Sequence, residues 1–101
     1  MSNYILRGHT PIRCDNFLEF GRWFETANRH VGDEVVDGVH VSTVFLGVDH
    51  NFGKGPPVLF ETMIFGGEYD EHQERYCTWE EAEEGHRRAV AMVKQSLQVN
   101  P

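Results

Sequence analysis

Apolar and polar positions alternate or recur with two different periods along the chain, and the switch between them outlines the fold. Tyr4 to Cys14 opens with an apolar triplet and resumes after Gly8-His9-Thr10-Pro11, which predicts a short strand, a turn and a second extended piece. From Asn16 to about Asn28 the apolar residues Phe17, Phe20, Gly21, Phe24 and Ala27 recur at helical spacing, with Asp15 as the expected N-cap. Gly32 to Gly38 reads as a short strand or bulged turn, and Asp37-Gly38 is a hairpin signal. Val39–Val48 and Val58–Phe65 are rich in β-branched and aromatic residues and read as strands, with Gly66-Gly67 ending the second and Glu74–Cys77 forming a short last one.

Thr78-Trp79-Glu80-Glu81 is a capping box, since the Thr hydroxyl and the Glu carboxylate three residues later can each accept from the other's backbone amide. The helix behind it runs to about Ser96 with Trp79, Ala82, His86, Ala89, Val90, Val93 and Leu97 on one face, and the tail from Gln98 to Pro101 is expected to fray. The expected fold class is α+β, in the order β-α-β-β-β-α, an antiparallel sheet with two helices on one face.

Composition narrows the function classes. A chain of 101 residues with seven Phe, three Tyr and two Trp is one domain with enough apolar volume for a core. No apolar run approaches the roughly 20 residues of a membrane helix, and the N-terminus lacks the charged-then-apolar layout of a secretory signal, so cytoplasm is the expected compartment. The net charge of −7 disfavours direct nucleic-acid binding and docking on anionic lipid, and favours a protein partner with a basic surface. Cys14 and Cys77 lack paired spacing and read as reduced packing residues. The six histidines show no metal-ligand spacing, so neither metal nor cofactor is expected.

Candidate chemistry concentrates between residues 41 and 67. Asp49-His50-Asn51 sits where a strand gives way to a loop; it reads as turn chemistry or as an acid–base or binding group. Gly53-Lys54-Gly55-Pro56-Pro57 supplies glycine amides and one cation, but a strand rather than a helix follows, so a rigid turn is the better account than a phosphate cradle. Glu61 interrupts an apolar strand and is expected to be partly buried, with Arg75, His40 or His86 as its partner. His86, on the buried stripe of the last helix, is expected to donate to a backbone carbonyl. Helix 1 carries more aromatics than one face can bury. Trp23 beside Arg22 is the expected outlier and interface anchor, the alternative being a wrap onto the flank of the sheet. Residues 68–84 hold eight of the sixteen acids and one base, Arg75, which suits either a basic partner or simple matching of the helix dipole.

The strings VSTVFLGVDHNFGKGPPVLFETMIFGG and ERYCTWEEAEEGH, together with DNFLEFGRWFETANRHV, resemble a family of small uncharacterised proteins encoded in bacteriophage and bacterial genomes. The likeness spans roughly Tyr4 to Val93. It implies a phage or prophage accessory protein acting inside the host cell, and it carries no activity or catalytic residue. Cys77 stands where the family pattern has Ser, which weakens any catalytic role for that thiol. The expected function is therefore binding of a host protein, such as a defence or nucleic-acid-processing component. The binding residues expected are Asp49, His50, Asn51, Lys54, Glu61, Arg75 and Trp23, and homodimerisation through a strand edge or helix 1 is a further expectation. The alternatives are a nucleotide-like ligand site or hydrolase built on Asp49, His50 and Glu61, and a structural part of a larger particle.

Overall fold

The computed structural model describes residues 2–98; the expected fraying of the tail beyond Gln98 lies outside the described residues. Eight elements follow one another: β1 (Tyr4–Arg7), β2 (Thr10–Arg13), α1 (Phe17–Thr26), β3 (His30–Val36), β4 (Val39–Phe45), β5 (Phe60–Phe65), β6 (Gln73–Tyr76) and α2 (Trp79–Leu97). The class is α+β and the pairing antiparallel throughout, in a β1–β2 hairpin and a four-stranded sheet of order β3-β4-β5-β6.

Two strands exceed the expected pattern. Thr10–Arg13 closes a hairpin on β1, and the segment around Gly32 is a full seven-residue edge strand with a register shift between His30 and Gly32. An edge strand needs only one paired side and tolerates charge, so Asp33 and Glu34 hide it from a hydrophobicity pattern. The strand from Val39 stops at Phe45 because Gly47 turns away with φ 81°. Asn16, not Asp15, caps α1 by accepting from the Glu19 amide at 3.0 Å, while Asp15 pairs with Arg13. Asp37 and Gly38 both take positive φ, the requirement of a tight two-residue hairpin, and join β3 to β4. The capping box of α2 forms as its sequence dictates.

Alternation along β4 decides the layering. Val39, Val41, Thr43 and Phe45 point to one buried face, and His40, Ser42 and Val44 to the other, half-open one. Helix α2 covers the first face, with Val90, Val93 and Ala89 against Val39, Val41 and Ile64. Helix α1 reaches that face at its far end, where Trp23 meets Phe45 edge-on at 5.7 Å.

A chain of polar groups crosses this core. Tyr76 donates to Thr62 at 3.1 Å, Thr62 and Thr43 share a hydroxyl contact of 2.6 Å, Thr43 meets His86 Nδ1 at 2.7 Å, and His86 Nε2 meets Glu34 at 2.9 Å. One proton order uses every donor: Tyr76 to Thr62, Thr62 to Thr43, Thr43 to Nδ1, and Nε2–H to the Glu34 carboxylate. His86 is thus buried as expected, but its partners are side chains rather than a backbone carbonyl. Two glycines make room for it. A Cβ on Gly32 would stand 2.5 Å from the His86 ring, and one on Gly85 would stand 2.1 Å from the Tyr76 hydroxyl oxygen.

Gly85→Ala is therefore expected to destabilise the protein by about 1–3 kcal/mol through overpacking, although alanine is the better helix former by about 1 kcal/mol. A urea melt reads the net sign: a midpoint at or above that of the native protein would show that the Tyr76 ring gives way without cost. Burial, foremost, pushes the Tyr76 phenol above its ordinary value of 10.0. The unfolded chain ionises first, so this contribution is intact below about pH 10 and is lost as pH rises through the higher folded value. Alkaline denaturation of Tyr76→Phe should show a shallower fall in stability than that of the native protein.

Candidate functional site

The loop from Asp49 to Pro57 joins β4 to β5, and the side chains of Asp49, His50 and Asn51 are engaged in holding it. Asp49 Oδ1 accepts from the amides of Asn51 at 2.7 Å and Val58 at 2.9 Å, clamping the start of the loop to its end. The His50 amide donates to the Val58 carbonyl, and its ring Nδ1 lies 2.7 Å from the Val48 carbonyl. Since a carbonyl only accepts, Nδ1 carries the proton there. Asn51 spans the interior: its oxygen accepts from Gly53, and its amide donates to Pro56 at 2.9 Å and Lys54 at 3.3 Å. Lys54 is exposed, and so is Phe52, at 79%. The loop is a rigid support whose most prominent side chain is an aromatic ring.

Glu61 lies elsewhere, on the open face of the sheet. Its carboxylate is 15% exposed and accepts from Arg75 at 2.9 Å and Gln73 at 2.6 Å, both from the neighbouring β6. Register explains the choice of partner, because Glu61 and Arg75 are directly opposite. No hydrogen bond or ion pair among the described residues joins this pair to Asp49 or His50. Trp23, expected to project outward, is half-buried against Phe45; the flank of the sheet covers it and leaves Phe17 and Leu18 of the same helix exposed at 80% and 70%.

The base of the loop adjoins the acidic start of α2. Burial, then the carboxylates of Glu81 and Asp49, push the Cys77 thiol up, which leaves it a poor nucleophile. Beside it, a groove of about 560 Å³ between β6 and α2 is lined by Glu74, Arg75, Tyr76, Glu80, Glu81, Glu84 and Arg88. Arg88 bridges Glu74 at 2.9 Å, and Arg87 holds the Glu84 carboxyl below its ordinary value through a 2.7 Å hydrogen bond and then through its charge. Glu74, Glu80, Glu81 and Glu84 make this groove an acidic part of the surface. Among the described residues no three His, Cys, Asp or Glu side chains converge to hold a metal ion, and no helix is long and apolar enough to cross a membrane.

The constellation richest in chemistry was not legible from spacing. Glu34, His86 and Thr43 stand in the carboxylate–imidazole–hydroxyl order of a nucleophilic triad. Thr43 and Thr62 are fully buried, however, so the hydroxyl has no route to a substrate, and the group serves the core. Phe52 was also missed; a lone aromatic in a glycine- and proline-rich loop was the available signal. No family model, curated protein or solved structure matches this chain.

Asp49→Ala should free the amides of Asn51 and Val58 and cost about 1–3 kcal/mol, with amide exchange accelerating first at those two positions. Asp49→Asn, which keeps one acceptor oxygen, should lose less. Equal protection in all three proteins would show that the clamp is inert.

Proposed function

We propose that this chain is a non-catalytic binding protein that docks on the basic surface of another protein, with Phe52 as the apolar anchor and the net charge of −7 as the source of attraction to that surface. The observation that carries this reading is the division of labour in the loop. Asp49, His50 and Asn51 are consumed in fixing its shape, while Phe52 at its tip is left exposed. Aromatic residues are enriched at the cores of protein interfaces, and a loop already held in place loses little freedom on binding. The excess of carboxylates would speed encounter with a basic partner and make the association salt-sensitive.

The resemblance to phage and bacterial proteins supports placing that partner in a host cell, as a phage- or prophage-type accessory protein would require. Occlusion of a defence or nucleic-acid-processing component is the mechanism that fits such a surface. The alternative of a nucleotide-like ligand site or hydrolase receives no support from the geometry. Glu61 is tied to Arg75 on the sheet, and Asp49 and His50 are tied to backbone.

Quantitative affinity purification from the expressing cells, with the native chain and Phe52→Ala side by side, tests the proposal. The expected result is a partner with a basic surface whose recovery drops at least about tenfold in the variant, the loss expected when a central anchor is truncated, and which elutes early as salt is raised. Identical recovery by the two proteins would overturn it.

A further inference from the structure

We propose that the polar groups crossing the core form a proton relay with two orders, in which a proton taken up between β6 and α2 is stored on His86 and reverses every hydroxyl on the way. Register lays out the path. Gly32, Thr43, Thr62 and Glu74 are cross-strand neighbours in one row from β3 to β6. The His86 ring lies over the Gly32 end of that row, and Tyr76 lines the same groove as Glu74 at the other.

Access decides where the proton enters. In the order that uses every donor, His86 Nε2 keeps its hydrogen for Glu34, so Nδ1 holds the free lone pair of the ring and Thr43 meets it at 2.7 Å. His86 is 6% exposed and the two threonines are fully buried, so water does not reach Nδ1 directly. The path outward runs through Thr43, Thr62 and Tyr76 to the groove. A proton arriving at the Tyr76 oxygen sends the tyrosine hydrogen to Thr62, the Thr62 hydrogen to Thr43 and the Thr43 hydrogen to Nδ1. No heavy atom moves, because every hydroxyl can both donate and accept. One proton enters and none leaves. The product is an imidazolium whose hydrogens face Thr43 and the Glu34 carboxylate, while Thr43 now donates to Thr62, Thr62 to Tyr76, and Tyr76 toward Glu74.

The surroundings suit both orders. From β3, Glu34 stabilises a positive ring at 2.9 Å. Asp33, whose carboxyl is held low chiefly by its hydrogen bond with His40, also feels the charge of His86. Arg87 and Lys94 of α2 line a hollow with Glu34 and oppose the added charge. The titratable groups of β4 and β5, His40 and Glu61, lie on the open face of the sheet. At the far end, burial foremost raises the Tyr76 phenol, and the charge and hydrogen bonding of Glu74 raise it further, so the carboxylate that accepts in the reversed order is within reach. Arg88 bridges that same carboxylate at 2.9 Å, so reversal alters an ion pair of the groove. Acidification thereby links the core to the surface.

Nuclear magnetic resonance of the purified full chain between about pH 8 and about pH 5, the range in which imidazoles change charge, tests the relay without any partner. His86 Nδ1 should gain a hydrogen while Nε2 keeps its own, and the Tyr76 ring signals should shift with the same midpoint. Thr62→Val removes the linking hydroxyl at similar volume; it should abolish the Tyr76 response, and Thr62→Ser should restore it. If Thr62→Val does not fold, the native chain decides: the Thr43 hydroxyl proton should pass from a contact with the imidazole to one with Thr62 as pH falls. Glu34→Gln, at a half-exposed position, should move both midpoints together to lower pH. An imidazole that stays neutral throughout, a silent Tyr76 while His86 titrates, an undiminished Tyr76 response in Thr62→Val, or midpoints that part in Glu34→Gln overturns the proposal.

Discussion

The structure depends on one chain of hydrogen bonds, to which each of five elements contributes a single side chain: Glu34 from β3, Thr43 from β4, Thr62 from β5, Tyr76 from β6 and His86 from α2. Every buried polar group that loses its partner costs about 1–3 kcal/mol. Slipping β4 against β5 would separate Thr43 from Thr62, which are direct partners in the register. Apolar contacts would tolerate such a slip far better, because one valine resembles another two positions away. The hydrophobic face supplies most of the burial, and the polar chain selects the one alignment in which all its donors are used. Gly32 and Gly85 follow from it as steric requirements.

With the imidazole, the two threonines and the tyrosine committed to the core, the chemistry left at the surface is sparse. Glu61 and Arg75 satisfy each other across β5 and β6, as a directly opposed pair does. Asp49, His50 and Asn51 satisfy the backbone of their own loop. What remains exposed is shape, apolar area and net charge, the properties by which proteins recognise proteins.

Sequence made the local devices legible because each is written in adjacent residues. The capping box at Thr78 and Glu81, the Asp37-Gly38 turn and the alternation of Val39 to Phe45 all act over a few positions. The pairing of Glu61 with Arg75 was within reach because strand alternation named a partly buried acid that needed a cation. The polar chain was not legible, since its members stand at positions 34, 43, 62, 76 and 86 and share no spacing. Its two threonines also pass for ordinary β-formers. Trp23 and Phe17 exchanged the roles expected of them for a related reason. Helical periodicity gives the direction of each side chain, but not how far the neighbouring sheet extends to cover it, and here it reaches Trp23 and stops short of Phe17.

Helix α1 and the loop converge where β4 ends. Gly47, with φ 81°, lifts the chain off the sheet and lies under Phe24 and Phe20, where a Cβ would come within 3.0 Å of the Phe24 ring. Its carbonyl accepts from Tyr4, and the loop begins two residues later, with the Asp49 amide bound to Ser2. The three residues after Leu46 therefore seat α1, the β1–β2 hairpin and the root of the loop together.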